Sequence, residues 1–183
     1  MATASKREKS CDGFSVGVVV VSGARVLIGL DPRGGWSGGA GHIYDEFNEP
    51  REAAEMETWE EFGVSPDQFF HMEERRLPNH CLRGSGPEGP GHQWHVYLAV
   101  VETQDLDIDE RSFAKAQWVT RQVIQYLAEY TVNYARREVS TASWDEKPGL
   151  LPVWVLVFAM AQIIELSEDD LLAVERFLDD GER

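Results

Sequence analysis

Hydrophobic residues follow two regimes along this chain: short unbroken runs up to about residue 120, interrupted by one helical segment, then helical spacing. "FSVGVVVV" (14–21) and "ARVLIGL" (24–30) are rich in β-branched residues, and Ser22-Gly23 between them predicts a hairpin. "DPRGGWSGGAG" (31–41) packs glycines and a proline into an expected loop, followed by a short extended piece at 42–44. A helix is predicted over about 50–62: Pro50 suits its first turn, Asn48 would cap it, and Gly63 would stop it. Further strands are predicted at 69–78, 91–102 and 114–120, with the turn-rich "NHCLRGSGPEGPG" between the first two. Helical patterns cover roughly 121–138, 150–165 and 167–179. Strands and helices do not alternate regularly, which favours an α+β fold, a mixed sheet between helices, over a doubly wound parallel sheet.

At 183 residues the expectation is one domain, spanning 13–183, with 140–183 as a helical extension and 1–12 as a frayed tail. The formal charge of −15 argues against attraction to nucleic-acid polymers or anionic membranes. It would also repel a phosphorylated small molecule, unless metal ions or a local cationic cluster reversed the field. Cys11 and Cys81 are the two cysteines, and their sequence setting resembles neither a disulfide framework nor a zinc site. Cys81 reads as structural rather than nucleophilic, because no base is identifiable beside it. The polar start "MATASKREKS" has no apolar signal core, and "LLPVWVLVFAMAQII" is short for a membrane span, so a cytoplasmic location is expected.

The densest chemistry lies in "EMETWEEFGV" (55–64). At about 100° per residue, Glu57, Glu60 and Glu61 share one helix face, with Trp59 and Phe62 expected on the other. Like charges at this spacing cost roughly 0.2–0.5 kcal/mol per pair, which a hard divalent cation would offset. The bland alternative is a solvated acidic face. The glycine loop immediately upstream favours the metal.

Glycine loop, helix and acidic run together resemble the Nudix box, G-x5-E-x7-R-E-U-x-E-E-x-G-U, where U is aliphatic. Glu57, Glu60, Glu61, Gly63 and Val64 sit at the box spacing. Met56 stands at the box arginine, Thr58 at an aliphatic position and Asn48 at the first glutamate. The Arg and first Glu of the box are a pair, so here they look replaced as a unit, with Glu46 or Glu49 available as a substitute carboxylate. Hairpin, box and later strands follow Nudix order over residues 14–138. The resemblance implies a Nudix-type α/β/α sandwich and hydrolysis of a nucleoside diphosphate derivative or nucleotide with Mg²⁺ or Mn²⁺. Glu57 and Glu61 would be metal ligands, Glu60 a further ligand or water-orienting group, and the Ala40 carbonyl would complete the shell. Glu110, before the 114–120 strand, is the candidate general base.

Arg75, Arg76, His80, Arg83, His92 and His95 concentrate positive charge around the 78–91 loop. Arg83, His92 and Trp94 are the expected recognition pocket, with Trp94 either stacking on a base or packed in the core. Strand alternation puts His92 and Trp94 on one face and His95 and Tyr97 on the other. Trp36 would cover the pocket or plug the end of the sheet, and Trp144 and Trp154 would pack the C-terminal helices. The rival reading is a Nudix-fold nucleotide-binding or regulatory module without turnover. A cysteine-dependent isopentenyl diphosphate isomerase ranks lower, because Cys81 follows the box. A homodimer stays open.

Overall fold

The computed structural model describes residues 10–81, 83, 84, 86 and 89–181. Seven strands build one mixed sheet: β1 (Phe14–Ser22), β2 (Arg25–Leu30), β3 (Trp36–Ser37), β4 (Gly39–His42), β5 (Gln68–Leu77), β6 (His92–Val100) and β7 (Lys115–Thr120). Their order is β3-β2-β1-β6-β5, with β4 paired to β1 and β7 to β2. Only β1 and β6 run parallel; the other pairs are antiparallel. Five helices complete the described residues: α1 (Pro50–Phe62), α2 (Arg121–Ala135), α3 (Thr141–Glu146), α4 (Pro152–Met160) and α5 (Glu168–Asp179). No helix among the described residues is long and apolar enough to cross a membrane.

The β1 alternation divides the core in two. Val16, Val18 and Val20 join Ala53, Ala54 and Phe62 of α1 on one face of the sheet. Val19 faces the other way, into a layer made by Ile124 and Val132 of α2, the body of α4, and Val174 and Leu178 of α5. Each fully buried aliphatic side chain contributes roughly 1.5–3 kcal/mol, so both faces are strongly specified. Helix α4 is buried nearly all round, through Trp154, Val155, Leu156, Val157, Phe158 and Met160. The C-terminal segment is therefore half of the molecule's second helical layer. It is fastened at the sheet edge, where Trp36 donates to the Gly149 carbonyl and accepts from the Leu151 amide, both at 2.9 Å.

Four expectations need correction. The glycine-rich segment forms β3 and β4, because its backbone pairs with β2 and β1 and needs no side chains to do so. Glu49, not Asn48, occupies the N-cap of α1, without a side-chain cap bond. Trp59 is 57% exposed whereas Phe62 is fully buried, since the inward arc of α1 is Ala54, Thr58 and Phe62. The last of the expected tail is anchored: Cys11 is buried, and Asp12 accepts from the Phe14 and Tyr44 amides at 2.9 Å. Residues 1–9 of that tail lie outside the described residues. Thr58, at an aliphatic box position, is buried without penalty because its hydroxyl donates to the Ala54 carbonyl at 2.7 Å.

Candidate functional site

Helix α1 lies across β4, and the glycines of β4 make room for its carboxylates. A Cβ at Gly41 would fall 1.7 Å from Glu57 Oε1, and one at Gly39 would fall 3.1 Å from Glu61 Oε2. The Ala40 amide donates to Glu61 Oε2 at 3.0 Å instead of across the sheet. Within a strand, the N–H and C=O of one residue leave by the same edge, so the Ala40 carbonyl is presented on the carboxylate side as well. Gly63, at φ 69, ends the helix by returning its amide to the Trp59 carbonyl at 2.8 Å.

The carboxylates are held against their charge. Burial, and then the charges of Glu60 and Glu46, push Glu57 up to about 7, while Arg83 opposes the shift. Burial and the Glu57 charge hold Glu61 well above the usual carboxylate range, partly relieved by the Ala40 amide. Two hollows adjoin at Glu57 and Glu60. The smaller, about 320 Å³, is walled by Ala40, Gly41, His42, Asp45, Glu46 and Arg83. The larger, about 570 Å³, is walled by Trp59, Glu61, Asp107, Asp109, Arg111 and Ser112. Of the two substitute carboxylates considered above, Glu46 reaches this cleft. The loop behind the larger hollow is docked on the end of α1, where the Asp107 amide donates to the Phe62 carbonyl at 2.9 Å and the Asp109 amide to the Glu61 carbonyl at 3.1 Å. Arg111 Nε bonds Asp109 at 3.0 Å and holds that carboxyl below its usual range.

The other sequence candidates separate. Glu110 is exposed and walls neither hollow; Asp107 and Asp109, its neighbours, do. The alternation "DLDID" carried that signal, because Leu106 and Ile108 pack inward on the α1 side of the core. Arg83 borders the smaller hollow, ion-paired with Asp45. His92 and Trp94 are brought elsewhere. Trp94 is 4% exposed in the α4 layer, edge-on to Trp154 at 6.2 Å, and its indole N–H donates to Asn79 Oδ1 at 2.8 Å. A Cβ at Gly17 would sit 3.0 Å from the Trp94 ring, so that glycine accommodates the indole. His92 is 3% exposed, and burial pushes its imidazole down to about 4. The expected recognition pocket therefore keeps Arg83 alone beside the carboxylates. Arg75 is committed to Glu175 of α5. Trp36 plugs the sheet end, with the Lys115 ammonium 5.0 Å above its ring.

Comparison with known proteins agrees with this layout. The NUDIX domain family matches residues 13–141. No curated protein matches the chain. Among solved structures, a NUDIX hydrolase from Nitrosomonas europaea superposes with a TM-score of 0.52 at 15% identity, over 82% of this chain and 88% of that one. A NUDIX-family hydrolase from Clostridium perfringens gives 0.50 at 15% identity, over 93% and 99%. The NUDIX domain of Shewanella oneidensis NrtR, solved with ADP ribose, gives 0.50 at 17% identity, over 73% and 90%. At these identities the likeness is one of fold.

Proposed function

This chain belongs to the Nudix domain family, and we propose that it is a metal-dependent hydrolase cleaving the pyrophosphate linkage of a nucleoside diphosphate derivative or nucleotide. One observation carries the reading. The side chain that would otherwise occupy the space of Glu57 is missing at Gly41, and the Ala40 amide orients Glu61 beside it. A merely solvated acidic face would need neither.

The donor set fits the cation that the family implies. Glu57, Glu60, Glu61 and the Ala40 carbonyl offer oxygen alone, which suits Mg²⁺ or Mn²⁺. When bound, such an ion supplies charge neutralisation at the phosphates and a more acidic water. The protein's own residues would do the rest. Glu61, fixed by the Ala40 amide, keeps its carboxylate in place without a search of rotamers. Glu60 borders both hollows and would orient the attacking water or receive its proton. Asp107 and Asp109, on the docked loop, are the alternative acceptors, in place of Glu110. Arg83, exchanging Asp45 for a phosphate oxygen, would anchor the substrate across the smaller hollow.

The test is a turnover screen of nucleoside diphosphate derivatives and nucleotides, with Mg²⁺ and with Mn²⁺. ADP-ribose belongs in it because a structural neighbour was solved with that ligand. Metal-dependent release of a nucleoside monophosphate supports the reading. Saturable binding without turnover of any member would favour a nucleotide-binding module, the reading that Met56 at the box arginine position supports.

A further inference from the structure

Behind the wall of the smaller hollow, which His42 shares, the fold gathers Cys11, His42, Cys81 and His92, one atom of each lying within 4.8 Å of every other. They come from four separate places: the segment before β1, the end of β4, the loop after β5 and the start of β6. We infer that these four side chains form a structural site for a thiophilic divalent cation of the zinc class, distinct from the oxygen site on α1.

Donor chemistry and geometry both support it. Two sulfurs and two imidazole nitrogens are a tetrahedral zinc set, and two thiolates balance a doubly charged cation. Cys11 Sγ lies 3.1 Å from His92 Nε2, and Cys81 Sγ lies 3.4 Å from His42 Nε2. Tetrahedral Zn–S and Zn–N bonds imply S···N edges of about 3.5 Å, so a small expansion admits the ion. The two imidazoles stand edge to face at 80°, with centroids 5.3 Å apart, as two ligands converging on one point do. Each sulfur already receives a backbone amide from two residues on, Gly13 to Cys11 and Arg83 to Cys81, both at 3.3 Å. Such amide–sulfur bonds stabilise thiolates, and they orient the ligands.

A cation on His92 Nε2 leaves the ring proton on Nδ1, which faces Asn79 Nδ2 at 3.0 Å. Loading then requires the Asn79 amide to turn, so that Oδ1 serves both this proton and the Trp94 N–H. Asn79→Asp supplies two acceptor oxygens without that rotation. In place it would strengthen metal retention, as carboxylate–histidine pairs do. The site would clamp the loop that carries Arg83 to β4 and β6.

The experiment uses the full chain, untagged and reduced, with Mg²⁺ in excess so that the acidic cleft stays saturated. The expected result is one zinc per chain by elemental analysis, retained in Glu61→Gln and lost in Cys81→Ser. Cobalt exchanged into wild type should give a sulfur-to-cobalt charge-transfer band with tetrahedral d–d bands, and a zinc-selective chelator should lower the Tm. The cobalt and chelator measurements need only wild type, so they stand even where Cys81→Ser fails to fold. Folded, reduced wild type that holds no stoichiometric zinc and gives no thiolate–cobalt band would overturn the inference. So would a chain in which Cys11 and Cys81 are isolated as a disulfide and, once reduced, take up no metal.

Discussion

Two of the regions where potential metal ligands gather, the acidic cleft and the Cys/His quartet, are built in opposite ways. The acidic cleft draws Glu57, Glu60 and Glu61 from about one turn of α1, all oxygen donors beside two roomy hollows. The Cys11, His42, Cys81 and His92 quartet draws sulfur and nitrogen from four distant segments, with Cys11 and His92 buried. Open oxygen sites exchange ligands and leave room for phosphates, whereas closed sulfur–nitrogen sites hold the chain together. The difference also assigns a different cost to each. The cleft concentrates charge that destabilises the metal-free fold. In the quartet, burial pushes the Cys11 thiol up and the His92 imidazole down, so both favour their uncharged forms until a cation arrives.

The largest separation of the two regions should come from Glu61→Gln. Its amide oxygen can still accept from the Ala40 N–H, so the fold should persist, while kcat/KM on the substrate found by the screen falls at least about a hundredfold. Metal-dependent turnover within about tenfold of wild type would detach Glu61 from the chemistry. Gly41→Ala comes next. Its Cβ collides with Glu57, so Mg²⁺ affinity by calorimetry should drop together with about 1–3 kcal/mol of stability in denaturant titrations. A methyl tolerated without loss of either would mean that the glycine is incidental.

Trp94→Phe probes the opposite region. The indole N–H to Asn79 is lost in the core, so about 1–3 kcal/mol of stability should go while KM for the substrate stays unchanged. A rise in KM with unaltered Tm would return Trp94 to substrate recognition.

Smaller still is a pH effect confined to the cleft. Folded Glu57 holds its proton up to about 7, against an ordinary 4.5, so between these values the folded state binds more protons than the unfolded. Stability of the metal-free protein should therefore decline as pH rises through that window. Mg²⁺ competes with the same proton, so it should raise the Tm more at about pH 8 than at about pH 5. An equal rise at both would place the ion elsewhere. The least effect is expected for Met56→Arg. Met56 is 37% exposed, so the change should stay within about 0.5 kcal/mol. A large loss would mean that the new charge is trapped against the cleft.

Regularities confined to a few residues were the readable part of this chain. The apolar runs of β1 and β2, Pro50 and Gly63 at the ends of α1, and the acidic face all follow from local spacing. What required contacts between distant residues was not readable. Glycines at 39 and 41 look like loop until β1 and the carboxylates of α1 are both in place. Trp94 and His92 share the expected strand face, but nothing local says that this face meets α4 instead of α1. The Cys/His quartet has no spacing motif, because its members join only when β1, β4 and β6 are paired.

The completeness of the α4 layer bears on how this protein is made. The family match ends at residue 141, but the sheet face carrying Val19, Trp94 and Val96 is sealed by side chains between 150 and 164. On the ribosome, that face has only α2 to cover it after every strand and the acidic helix have emerged. The nascent sheet is then vulnerable to sticking, and cooperative closure waits for the last quarter of the chain. A protein shortened at the family boundary should behave as such an arrested intermediate: secondary structure present, dye-binding apolar surface exposed, and no sharp thermal transition.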